Sequence, residues 1–152
     1  RGRDNTIGRA NVLGNMGNLY LRGSEPEKAL EHYRQALELH RQAGGPLGEA
    51  AVLGNMGNVH FRCGNYSEAA TAYEAALDLH RRCGNRLGQA RTLTNMGSLN
   101  ARQGQWRRGI AALEEARAAY DELGTSGRAP KAVDKLLSRL KRNIEQDGDA
   151  TG

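Results

Sequence analysis

The stretch "VLGNMGN", Val12–Asn18, returns forty residues later as Val52–Asn58, and a third, altered copy, "TLTNMGS", runs from Thr92 to Ser98. Asn and Gly each cost a helix roughly 0.5–1 kcal/mol against Ala. A string this unfavourable, kept at one spacing, signals a structural repeat. Outward from it the same register pairs Gly8 with Gly48 and Gly88, Leu13 with Leu53 and Leu93, and Met16 with Met56 and Met96. It also pairs Gly17 with Gly57 and Gly97, Arg22 with Arg62 and Arg102, and Ala36 with Ala76 and Ala116.

Each unit holds two helical patterns. Leu13, Met16, Gly17 and Tyr20 are spaced i, i+3, i+4, i+7, the signature of one helix face. A break at Gly23-Ser24 precedes Pro26, which is tolerated in a first helical turn. Ala29, Tyr33, Ala36, Leu37 and His40 then make a second apolar face, stopped by Gly44-Gly45-Pro46. The expected units are 4–45, 46–85 and 86–127. Beyond Gly127 a different helix is expected over 128–147, with Val133, Leu136, Leu137, Leu140 and Ile144 as its apolar stripe. It suits the end of an array, which needs one polar face. Residues 148–152 read as a disordered tail.

These residues resemble the tetratricopeptide repeat. Leu13, Met16, Gly17, Tyr20, Ala29, Tyr33 and Ala36 fall on that family's signature positions, as do Leu53, Met56, Gly57, Ala69, Tyr73 and Ala76. The third unit keeps Leu93, Met96, Gly97 and Ala116 but departs at Asn100, Gly109 and Leu113. The usual unit has about 34 residues. The longer unit here looks like the long-helix variety of Pins-type adaptors, kinesin light chains and bacterial multidomain regulators. The resemblance implies an all-α, right-handed α-α superhelix. It also implies protein or peptide binding in a concave groove lined by the first helix of each unit.

On a wheel of about 100° per residue, Asn11, Asn15, Asn18 and Arg22 lie opposite the packing face of the first helix. Their counterparts are Asn55, Asn58 and Arg62, then Arg91, Asn95, Ser98 and Arg102. A merely wet face would favour Glu, Lys and Gln, which help the helix; repeated Asn does not. An amide offers donors and an acceptor that suit a peptide backbone. An arginine row would select acidic side chains by charge-assisted bonds. The resemblance supports a backbone grip at Asn15, Asn55 and Asn95. Asn15 and Asn18 are expected to have no packing duty. Co-chaperone repeats that clamp a C-terminal carboxylate carry Lys where this chain has Gly14, and a basic residue where it has Asn95. That clamp is incomplete here, and a chaperone C-terminus is not the expected ligand.

Composition bounds the alternatives. The 152 residues carry a net charge of +5, which admits an acidic partner or simply the Arg-, Ala- and Gly-rich composition that a GC-rich genome writes. No apolar run approaches a membrane span, and no signal peptide opens the chain, which begins on Arg1 and reads as a piece of something longer. Two cysteines make no disulfide framework, and a cytoplasmic setting is expected. His60-x-x-Cys63 and His80-x-x-Cys83 could each share a metal. About 17 helical residues, on the order of 25 Å at 1.5 Å per residue, separate the pairs, so no metal or other cofactor is expected. His40 and His80 read as flat rings packed between helices, and Trp106 as packing across its turn. No nucleophile, base and orienter share a pattern, so no enzyme is expected. Nucleic acid is an unlikely partner, because the basic stretches lack interleaved exposed aromatics. The expected function is a module that binds an extended, acidic protein or peptide segment. The runner-up is a structural spacer or self-association module, and a nucleic-acid-binding regulator stands third. The oligomeric state is left open.

Overall fold

The computed structural model describes residues 2–149. It contains α1 (Gly2–Arg22), α2 (Pro26–Gln42), α3 (Pro46–Arg62) and α4 (Tyr66–Arg82). These are followed by α5 (Arg86–Arg102), α6 (Trp106–Glu122) and α7 (Arg128–Asp149). No strand occurs among the described residues. The chain divides at Gly84–Asn85 into two compact units.

In the first unit, α1 pairs with α2 and α3 with α4 as hairpins, and α3 also packs on α2. The core joins Ala29, Tyr33, Ala36 and Leu37 of α2 to Val52, Leu53 and Val59 of α3 and Ala76 of α4. The helices come close because glycine faces the largest side chain. A Cβ on Gly17 would stand 2.6 Å from Tyr33 Cε1, and one on Gly57 2.5 Å from Tyr73 Cε1. The residues that cost helix propensity therefore admit a ring.

The turn after α2 is a Schellman closure. Gly45 N–H donates to the His40 carbonyl at 2.8 Å, Gly44 N–H donates to that of Arg41 at 3.1 Å, and Gly44 has φ of 65°. The turn after α1 repeats these bonds, from Glu25 to Tyr20 and from Ser24 to Leu21. Here the left-handed residue is Ser24, with φ of 59°. The glycine of the expected Gly23-Ser24 break thus stands one residue before the position that requires it.

In the second unit, α5 and α6 form a hairpin and α7 packs on α6. Leu113, Tyr120, Val133, Leu137 and Leu140 build its core. Arg86 binds Glu122 with two of its three guanidinium nitrogens, Nε to Oε2 at 2.7 Å and Nη2 to Oε1 at 2.9 Å, joining the start of α5 to the end of α6. That guanidinium holds the Glu122 carboxyl below its ordinary range. Arg117 ties α6 to α7 through Asp134 at 2.8 Å. The expected tail at 148–152 is corrected in part: α7 continues through Asp149, and 150–152 lie outside the described residues. Trp106 Nε1–H donates to Asp147 Oδ2 at 3.2 Å, linking the last turns of α7 to the start of α6.

Candidate peptide-binding groove

Within the first unit, α1 and α3 present a cavity of about 430 Å³. Four of the expected residues line it: Asn11, Asn15 and Asn18 from α1, and Asn55 from α3. Gly14 lines it too, and a Cβ there would meet nothing within 4 Å. Unlike Gly17, Gly14 is not a packing glycine. Its bare backbone widens the space.

The hydrogen bonds separate the asparagines into two kinds. The Tyr33 hydroxyl donates to Asn18 Oδ1 at 2.6 Å, and the Tyr73 hydroxyl donates to Asn58 Oδ1 at 2.7 Å. Asn18 therefore does have packing work, contrary to expectation, and Asn58 shares it: each satisfies a phenol whose ring lies on the preceding glycine. The third copy agrees internally. Leu113 replaces the tyrosine, packs on Gly97, and leaves no hydroxyl to satisfy, and Ser98 replaces the asparagine. The Ser98 hydroxyl instead donates to the Thr94 carbonyl of its own helix at 3.2 Å. Burial pushes the Tyr73 hydroxyl up to about 12 and raises Tyr33 likewise, since the phenolate is disfavoured away from water.

The remaining polar capacity faces the cavity. Asn55 Nδ2 reaches Asn18 Oδ1 at 3.4 Å, leaving the Asn55 carbonyl oxygen available. Asn15 and Asn11 are exposed. His40 lines the same space, is only 4% exposed, and keeps Nδ1 buried with no hydrogen-bond partner. Burial lowers its pKa, with the Glu49 carboxylate pulling the other way. The ring lies flat on Gly48, where a Cβ would come within 2.3 Å of Nδ1. A buried nitrogen without a partner is uncommon, and sequence reading missed it. The lone signal for it was the pairing of His40 with Gly48 across the α2–α3 turn.

Arg22 and Arg62 stand exposed in the last turns of α1 and α3 and are not part of the cavity wall. In the second unit Arg91 and Arg102 are exposed on α5, while Asn95 and Ser98 are half-buried. Both cysteines are free and exposed, and no cluster among the described residues could hold a metal ion.

Tetratricopeptide repeat models match residues 10–42 and 48–122, between them most of the chain. The chain belongs to the tetratricopeptide repeat family, whose fold is a protein–protein interaction module. No curated sequence matches it. Among solved structures, the apo form of RapI is similar over 96% of this chain and 40% of its own, with TM-score 0.86 and 12% identity. Aspartyl phosphate phosphatase F from Bacillus subtilis is similar over 95% of this chain and 38% of its own, with TM-score 0.84 and 17% identity. The Sgt2 TPR domain from Aspergillus fumigatus is similar over 94% of this chain and 83% of its own, with TM-score 0.74 and 20% identity. The chain thus spans about two fifths of the first two proteins. These likenesses establish the fold, an all-α solenoid of the tetratricopeptide class. No helix among the described residues is long and apolar enough to cross a membrane.

Proposed function

We propose that this chain binds an extended, acidic partner segment along the face of its first unit that carries Asn11, Asn15 and Asn55. The observation that carries the reading is the cavity between α1 and α3. Its wall supplies amides with unfilled hydrogen-bonding capacity and a glycine with open space. Such a wall suits a peptide backbone, which offers one donor and one acceptor per residue. Asn18 and Asn58 hold the wall in shape through their tyrosines. Arg22 and Arg62, exposed at the ends of α1 and α3, would add the preference for acidic side chains from outside the cavity.

The test begins with a displayed library of linear peptides selected on the intact chain. Selected binders should be enriched in Asp and Glu. Asn15→Ala with Asn55→Ala removes two backbone contacts of about 1 kcal/mol each, a loss of roughly 30-fold in affinity. Charge reversal at Arg22 and Arg62 should move the selection away from acidic sequences while circular dichroism stays unchanged. Binders that ignore both sets of changes would place recognition elsewhere on the molecule.

A further inference from the structure

The outer face of α1 is apolar and open. Val12 is 59% exposed, Met16 36% and Leu19 64%. Beside it a second cavity of about 410 Å³ is lined by Leu13 and Leu39 together with Arg9, Arg34, Gln35 and Glu38. The next repeat shows what such a face is for. Val52 and Val59, the counterparts of Val12 and Leu19, are 4% and 0% exposed.

The helix that covers them follows from geometry. Gly57 faces Tyr73 of α4. Val52 and Val59 lie about 140° or more around α3 from Gly57, at ~100° per residue. They therefore turn away from α4 and enter the core shared with Leu37 and Tyr33 of α2, the helix on which α3 packs. The same angles hold on α1, where Gly17 faces Tyr33 and Val12 and Leu19 turn away from it. Nothing in the first unit occupies the place that α2 takes on α3.

The opposite end of the chain supplies a contrast. The side of α7 away from its buried stripe carries Arg128, Lys131, Lys135, Arg139 and Arg142, all exposed. That is the polar outer surface an array needs where it meets water. The α1 face carries Asn5 and Arg9 in its first turns but only large apolar side chains at Val12, Met16 and Leu19, and exposed contiguous apolar surface marks contact.

We propose that the outer face of α1, built on Val12, Met16 and Leu19 with Leu13 beside it, is an inter-repeat surface that takes the second helix of a further tetratricopeptide hairpin, in the position α2 holds on α3. A second copy of this chain is the poorer occupant, because its own α2 is already buried on α3.

The proposal is tested by duplicating residues 6–45 in tandem, so that an added Gly44-Gly45 turn leads into Thr6 at the native forty-residue spacing. The longer chain should melt in one transition at a higher midpoint than the original, and amides of the second α1 should exchange more slowly with solvent. Val12→Glu with Leu19→Glu in that second α1 should remove both gains. The same pair of changes should leave the midpoint of the original chain where it was. No gain on duplication would overturn the proposal, as would equal damage to the original chain. Sedimentation of the original as a dimer dissociated by the two changes would overturn it in favour of self-association.

Discussion

Ser24 is the one described non-glycine residue with positive φ, at 59°, where the equivalent turns carry Gly64 and Gly104. An L-residue there costs about 1–2 kcal/mol, and glycine gives part of the gain back in chain entropy. Ser24→Gly should therefore stabilise the protein by about 0.5–1 kcal/mol, read by urea denaturation. Gly57→Ala should do the reverse. Alanine is worth about 1 kcal/mol to the helix, but its methyl would overlap the Tyr73 ring, and forced overpacking costs about 1–3 kcal/mol. A net loss near 1 kcal/mol is expected. Tyr73→Phe and Asn58→Ala should each destabilise, with a coupling of about 0.5–1.5 kcal/mol in a double-mutant cycle, the net worth of one hydrogen bond. The glycine's purpose was legible in the sequence, because a poor helix former recurring on the packing face needs a steric reason. The duty of Asn18 and Asn58 was not. A wheel records the direction of each Cβ, and the tyrosine hydroxyl reaches across from another helix to a residue beside the contact.

The hairpin elements carry the pH dependence. His40 and His80 sit in the last turns of α2 and α4, and burial lowers the pKa of both. A lowered imidazole pKa means the unfolded chain binds more protons, so stability is present above pH ~6.5 and is lost as pH falls below it. Tyr33 and Tyr73 act at the other extreme. Their raised pKa values mean that the unfolded chain ionises first, so stability falls as pH rises from ~10, with Tyr73 contributing up to about 12. Thermal midpoints measured from pH 5 to 11 should show a plateau with both shoulders, and His40→Gln should shallow the acid shoulder. Helix identity and order were legible from the 3.6-residue period and the glycine stops. The end of α7 was not, because "DGD" at 147–149 looks like a frayed terminus, whereas Trp106 reaches across from α6 to Asp147. Arg22 shows a related blind spot. It shares an angular arc with Asn15 but lies about 10 Å further along the axis at 1.5 Å per residue, beyond the cavity its angle suggested.

For the molecule as a whole, the open question posed by its sequence is whether the face opposite the packing side grips a ligand or is simply wet. The two readings predict different behaviour from a single added methyl. Gly8 and Gly14 both lie on α1, and a Cβ at either would touch nothing in the folded chain. Alanine at each should therefore raise stability by about 1 kcal/mol, a shift of roughly 2–4 °C for a chain of this size. Only Gly14 lines the cavity with Asn11, Asn15 and Asn55. If a peptide backbone occupies that space, Gly14→Ala must weaken capture of selected peptides while stabilising the fold, and Gly8→Ala must stabilise without affecting capture. A solvated face would register the two changes identically. Equal binding by the two variants would remove the ligand from the cavity. A loss confined to Gly14→Ala would explain why this position holds a residue that costs the helix and relieves no steric contact.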